Sequence, residues 1–288
     1  MTLTLAKFTA LTAPNRTVEV DGRVLAYRSF GTGPNLVLCV RLRGTMDVWD
    51  PLFLDRLAET FTVTVFDYSG LGYSTGTPSY AKADTAKDVN DLVDALGFEK
   101  VIIGGWSLGG FAAMVFAAMY PQKVSHVLAI ATMPPGLMIK SYEQIFFETA
   151  GKPEYSVEDE YILFFEPASA RSRALADASL ARIAARSEVR DLPTPSDVFM
   201  TSVAASSDPT TPFPDPGGAY FDFFAKTEIP VLALSGDHDI IFPVENWYAL
   251  NDVWPTLFVV TFPESGHGPQ QQYPDMAAEM IASFIAHS

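Results

Sequence analysis

Apolar residues come in short blocks punctuated by Gly, Pro and Asp, and the period of the blocks changes along the chain. Val18 to Tyr27 alternates apolar and polar on both sides of Asp21-Gly22, which predicts a β-hairpin with a tight turn. Leu36–Val40 is a continuous apolar run, the mark of a strand buried on both faces. Trp49 to Glu59 has helical spacing, and Thr62–Phe66 reads as a second buried strand ending at Asp67. Gly70, Gly72 and Gly76 loosen the loop that follows. Asp84 or Thr85 can cap a helix that runs to Leu96 and stops at Gly97. Val101-Ile102-Ile103 leads through Gly104-Gly105-Trp106-Ser107-Leu108-Gly109-Gly110 into an Ala/Met/Phe-rich run that Pro121 ends. That is a buried strand, a sharp turn and a buried helix. Val124–Ala131 is a further strand, and the alternation predicts a parallel, doubly wound α/β sheet.

The pattern changes after Met133-Pro134-Pro135-Gly136. From there to about residue 225 no strong strand pattern occurs. Ser156 with Asp159 resembles a capping box, Ser169–Arg186 has helical composition, and Pro209–Pro216 is a Pro-rich loop. A helical cap covering 136–225 is expected, inserted into a core made of 1–135 and 226–288. Strand patterning resumes at Pro230–Leu234 and again at Leu257–Phe262, with a helix after Pro243 and a closing helix over Asp275–His287. There is no internal repeat or low-complexity tract.

Composition narrows the partners. Of 288 residues 48% are hydrophobic, enough for one large α/β core with an insertion. With 19 Lys+Arg against 34 Asp+Glu the net charge is -15. Such a surface repels nucleic acid and anionic membranes, so neither is an expected partner. A small-molecule substrate is expected, and a homodimer is allowed. The one cysteine, Cys39, sits in an apolar run and reads as a small core residue. Met1–Asn15 does not read as a signal peptide and no run has the length of a membrane span, so a cytoplasmic protein is the expectation. No His/Cys/Asp cluster has metal spacing and no Gly-rich phosphate loop precedes a Lys, so no metal or cofactor is expected.

The candidate chemistry centres on Gly105-Trp106-Ser107-Leu108-Gly109, a G-x-S-x-G turn. Small residues two before and two after the serine let strand and helix approach, and the helix N-terminus favours negative charge at the hydroxyl. Serine needs a base in reach and a carboxylate behind that base. Among four histidines, His126 precedes a strand, His287 is terminal and His238 lies between two aspartates. His267 follows a strand, where a doubly wound sheet places its ligand face. Asp237 and Asp239 compete for the acid position after another strand.

Serine, acid and histidine in that order, each just after a strand, resemble the α/β-hydrolase fold superfamily over nearly the full chain. The likeness is greatest to small serine ester hydrolases and cofactor-free haloperoxidase-like members. Gly236, Asp239 and Pro243 match the acid loop of that family, which selects Asp239 over Asp237. Gly266-His267 matches its histidine, and Asp67, Gly70, Gly72 and Ser74 match the motif after its fourth strand. The resemblance implies an α/β-hydrolase fold with an inserted helical cap and a triad of Ser107, Asp239 and His267. It also implies an oxyanion hole from the Leu42 and Leu108 amides, and hydrolysis of a neutral, apolar ester or lactone through an acyl-enzyme. Perhydrolysis or C–C bond hydrolysis with the same triad, or a ligand receptor on a hydrolase scaffold, are the alternatives.

The sequence departs from the family at one point. Where the family usually carries His-Gly, this chain has Val40-Arg41. Arg41 and Trp106 are candidate substrate-binding residues. The simpler expectation for Arg41 or Arg43 is a pairing with Asp67 or Asp47 that shapes the loop. Aromatic and Met residues of the cap, among them Phe146, Phe147, Phe164, Phe165, Met200, Phe221, Phe223 and Phe224, are expected to supply some of an apolar pocket over Ser107.

Overall fold

The computed structural model describes residues 9–136, 138–186, 188–206 and 212–288. In chain order the described elements are α1 (Thr9–Thr12), β1 (Arg16–Val20), β2 (Arg23–Gly31), β3 (Asn35–Cys39), α2 (Pro51–Ala58), β4 (Thr62–Phe66), α3 (Lys82–Ala95), β5 (Val101–Trp106), α4 (Leu108–Met119) and β6 (Val124–Ile130). There follow α5 (Gln144–Ala150), α6 (Val157–Phe164), α7 (Ala170–Ala184), α8 (Ser196–Ser206), α9 (Ala219–Phe224), β7 (Val231–Gly236), α10 (Glu245–Tyr248), β8 (Leu257–Phe262), α11 (Pro269–Gln272) and α12 (Pro274–His287). Pro209 and its neighbours to residue 211 lie outside the described residues, so the expected Pro-rich loop is seen only from 212 onward.

The eight strands form one sheet in the order β1-β2-β4-β3-β5-β6-β7-β8. β1 and β2 pair antiparallel across the Asp21-Gly22 turn, and β2 pairs antiparallel with β4. All remaining pairs are parallel. This is the α/β-hydrolase architecture expected from the sequence. The continuous apolar runs are explained by their position. β5 and β7 are buried at every residue because helices cover both faces of the sheet. β8, at the edge, keeps only Phe262 fully buried. α4 is buried over most of its length, which is why its Ala/Met/Phe run lacks a polar stripe.

Between β6 and β7 the described residues form helices and loops only. The box expected at Ser156 is formed: Ser156 Oγ accepts from Asp159 N, and Asp159 accepts from Ser156 N. Ser169 caps α7. This segment is held to the sheet domain by polar contacts. Buried Asp50, the N-cap of α2, accepts hydrogen bonds from Arg182 at 2.6 Å and from Ser179 Oγ at 2.7 Å, both on α7. Phe164 O accepts from Gly268 N at 2.8 Å. A Cβ on Gly266 would meet Phe165 O at 2.3 Å, so only glycine lets the two chains pass there.

Candidate active site

β5 ends at Trp106 and α4 begins at Leu108, which leaves one residue to reverse the chain. Ser107 takes φ 58°, ψ -120°, a conformation a side-chain-bearing residue adopts only under constraint. The constraint is close packing. A Cβ on Gly105 would lie 2.0 Å from Gly109 O, and one on Gly109 would lie 2.1 Å from Cys39 O. Ser107 N donates to Ile130 O at 2.9 Å, tying the turn to the end of β6.

His267 and Asp239 arrive from the ends of β8 and β7. His267 Nδ1 lies 2.8 Å from Asp239 Oδ2, with both residues buried. Asp239 Oδ1 accepts from Ile241 N at 2.8 Å and Phe242 N at 2.9 Å. With two amides fixing one oxygen, the other is held toward the imidazole. A carboxylate only accepts, so Nδ1 carries the proton at this contact, and the neutral imidazole with that tautomer has its lone pair on Nε2. The competing Asp237 instead meets His238 Nδ1 at 2.6 Å and accepts from Ser265 N, with its partner imidazole exposed. His126 packs edge-on against Phe284, and His287 Nδ1 lies 2.7 Å from Ser283 O.

Ser107 and His267 line one cavity of about 470 Å³. From the sheet side it is lined by Arg41, Leu42, Arg43, Leu108 and Phe111, and from the segment between β6 and β7 by Tyr142, Phe146, Phe147, Tyr155, Phe164, Phe199 and Met200. Leu42 follows β3 and Leu108 is the first residue of α4, whose leading N–H groups have no partner within the helix. Phe165, Phe221, Phe223 and Phe224 are not among the lining residues; Phe165 and Phe224 are fully buried elsewhere.

Trp106 is fully buried and does not line the cavity. Its indole N–H donates to His267 O at 2.6 Å, and its ring packs against Phe164 and Trp49. Its contacts tie the end of β5 to the histidine loop.

The expected pairing of Arg41 or Arg43 with Asp67 or Asp47 is not what is found. Asp47 pairs with Arg28 at 2.6 Å, with Arg186 and Arg190 nearby. Asp67 accepts from Met46 N and Tyr73 N, and Asp191 accepts from the same Met46 N. Burial, then the neighbouring Asp191 charge, pushes the Asp67 carboxyl well above the usual carboxylate range. Arg43, at φ 60°, reaches across to donate to Lys152 O at 2.7 Å and to Pro153 O. Its guanidinium lies over the rings of Tyr155 and Phe199. Arg41 donates to Leu42 O at 2.9 Å and lies over Trp106 and Phe164. Apart from Leu42 O beside Arg41 and Tyr73 N six residues after Asp67, these partners lie in distant segments, so no sequence spacing signals them.

Residues 34–272 match the model of the alpha/beta hydrolase fold, and the chain belongs to this family of hydrolases. Its relatives include the pimeloyl-[acyl-carrier protein] methyl ester esterase of Vibrio campbellii, 29% identical over 91% of this chain and 98% of that enzyme. An uncharacterised protein of Mycobacterium tuberculosis is 27% identical over 92% of this chain and 79% of its own length. Among solved structures, an alpha/beta hydrolase fold protein from Chitinophaga pinensis superposes with a TM-score of 0.81 at 25% identity, covering 97% of this chain and 99% of that one. Among the described residues, no helix is long and apolar enough to cross a membrane.

Proposed function

We propose that the protein is a serine ester hydrolase in which Ser107 attacks the carbonyl carbon of a carboxylic ester or lactone. His267 Nε2 takes the hydroxyl proton and later returns it to the leaving alkoxide. Asp239 keeps the imidazole in the required tautomer and stabilises the imidazolium. The Leu42 and Leu108 amides hold the oxyanion, and water releases the acyl group from Ser107. The pairing of His267 Nδ1 with Asp239 at 2.8 Å, beside a serine held at φ 58° in the same cavity, carries this reading. The aromatic lining suits a substrate whose bulk is apolar.

Ser107→Ala should lose about 10³-fold or more in kcat on a p-nitrophenyl ester, with the fold retained by circular dichroism. A fluorophosphonate should label the wild type and not the variant. Full turnover by Ser107→Ala would refute the assignment. Labelling of the wild type without turnover of any ester would favour a receptor on a hydrolase scaffold.

A further inference from the structure

The catalytic cavity does not share the charge of the rest of the protein. The chain carries a net charge of -15, yet among the described residues the cavity is lined by three cations, Arg41, Arg43 and Lys82, and no carboxylate. Two of the three have evident structural company. Arg43 donates to Lys152 O, Pro153 O and Ser196 Oγ and joins the β3 loop to the segment over the cavity. Lys82 Nζ sits 5.8 Å from the centre of the Phe111 ring.

Arg41 differs. Its guanidinium carbon is 5.1 Å from the Trp106 ring centre and 4.5 Å from that of Phe164, and those two centres are 5.4 Å apart, so both rings lie to one side of it. One edge N–H goes to Leu42 O, and Nε is buried with no acceptor. Among the described residues no carboxylate oxygen lies within 4.0 Å of it; Glu160 acts on it only from a greater distance. Burial draws its pKa down from the ordinary arginine value. A guanidinium withdrawn from water with its countercharge held off is costly, and an anion delivered into the cavity offsets that cost. The guanidinium edge is the fork that receives a carboxylate, and here its Nε–H is a donor left without an acceptor. The bond to Leu42 O places the charge beside the peptide that follows the proposed oxyanion donor.

We infer that Arg41 is an anion-recognition residue of this cavity, and that the substrate is an ester bearing a free carboxylate on its acyl side. The ester carbonyl would meet Ser107 while the carboxylate meets Arg41. This rests on the serine hydrolase reading and puts a charged acyl group where the family resemblance implied a neutral one.

Methyl hemiesters of glutaric and adipic acid, each against the methyl ester of the corresponding monoamide, test it. The two members of a pair have the same length and differ by the charge. The wild type should prefer the acid by about 30-fold or more in kcat/KM, the range of losing one partner of a buried charge pair. Arg41→Gln should bring that ratio close to one, and Arg41→Lys should keep part of it. Disturbance of the oxyanion loop by either substitution acts on both members of a pair and cancels in the ratio. A wild-type ratio at or below one for both lengths, or an unchanged ratio in Arg41→Gln, overturns the proposal while leaving the serine assignment intact. If the variant does not fold, inhibition of wild-type p-nitrophenyl acetate turnover decides: glutarate should inhibit and glutaramide should not. If no ester is turned over at all, the serine reading fails. Calorimetric binding of glutarate against glutaramide to the wild type then still decides the role of Arg41.

Discussion

The two walls of the cavity are built by different means. The sheet wall, from β5 through Ser107 into α4 with the loops after β7 and β8, is almost fully desolvated: Ser107 is 8% exposed and His267 1%. Its geometry is forced by backbone-to-backbone contact at Gly105, Gly109 and Gly266. The opposite wall, carried by α5 to α8, leaves Phe147 49% exposed and Met200 53% exposed. It is seated through polar contacts of Asp50 with Arg182 and Ser179, of Arg43 with Lys152 and Pro153, and of Asp67 with Asp191. Close packing has few alternatives and holds reacting atoms in place. Leu163, Phe164 and Phe199 of this wall are buried, but its half-exposed positions such as Phe147 and Met200 can be re-cut at low cost in stability. On the proposed function, reaction chemistry belongs to the first wall and substrate choice to the second, with Arg41 at their junction against Phe164.

The contrast is broken most severely at the carboxylate behind the proposed base. Asp239→Asn leaves the shape intact but presents a donor to Nδ1, reversing the tautomer; kcat should fall by about 10⁴-fold with little change in thermal stability. Next comes packing. Gly109→Ala drives a methyl into Cys39 O, and the variant should lose about 3 kcal/mol or more in urea unfolding, or fail to accumulate in soluble form.

The latch between the walls gives a smaller, pH-dependent effect. An acid whose folded pKa is raised contributes its full stability below the unfolded carboxylate value of 3.8 and loses it as pH climbs through the raised value. Asp67 should therefore make the protein less stable at pH 8 than at pH 5. Asp191→Asn removes the second of the two causes and leaves burial, so urea midpoints at the two pH values should move closer together without becoming equal. The smallest effect is expected from the exposed wall. Phe147→Ala should change unfolding free energy by about 0.5 kcal/mol or less, while shifting KM among esters of different chain length more than kcat.

Much of the sheet wall was legible in the residues. Thr62–Phe66 and Leu257–Phe262 are strands at the bounds their patterns imply, and the Ser156 box forms as spaced. Other elements carried too little signal. α5 and α9 span only seven and six residues, and their helicity comes from the surfaces they meet rather than from a long apolar stripe. Trp106 stood next to the serine in sequence, but alternation within β5 sends its ring away from the cavity, under the histidine loop.

Local spacing alone determined the strand order of types, the glycine-flanked serine turn and the candidate histidine, because each depends on neighbours within a turn or two of chain. The acid-loop match had already selected Asp239 over Asp237; only the tertiary structure decided that Arg43 reaches Lys152 and Pro153, and that Arg41 lies against Trp106 and Phe164 with no carboxylate of the described residues within 4.0 Å. Those outcomes depend on which segments, tens to more than a hundred residues apart, are brought within hydrogen-bond reach. Burial then sets the strength of each charge, and burial is a property of the folded surface rather than of any stretch of sequence.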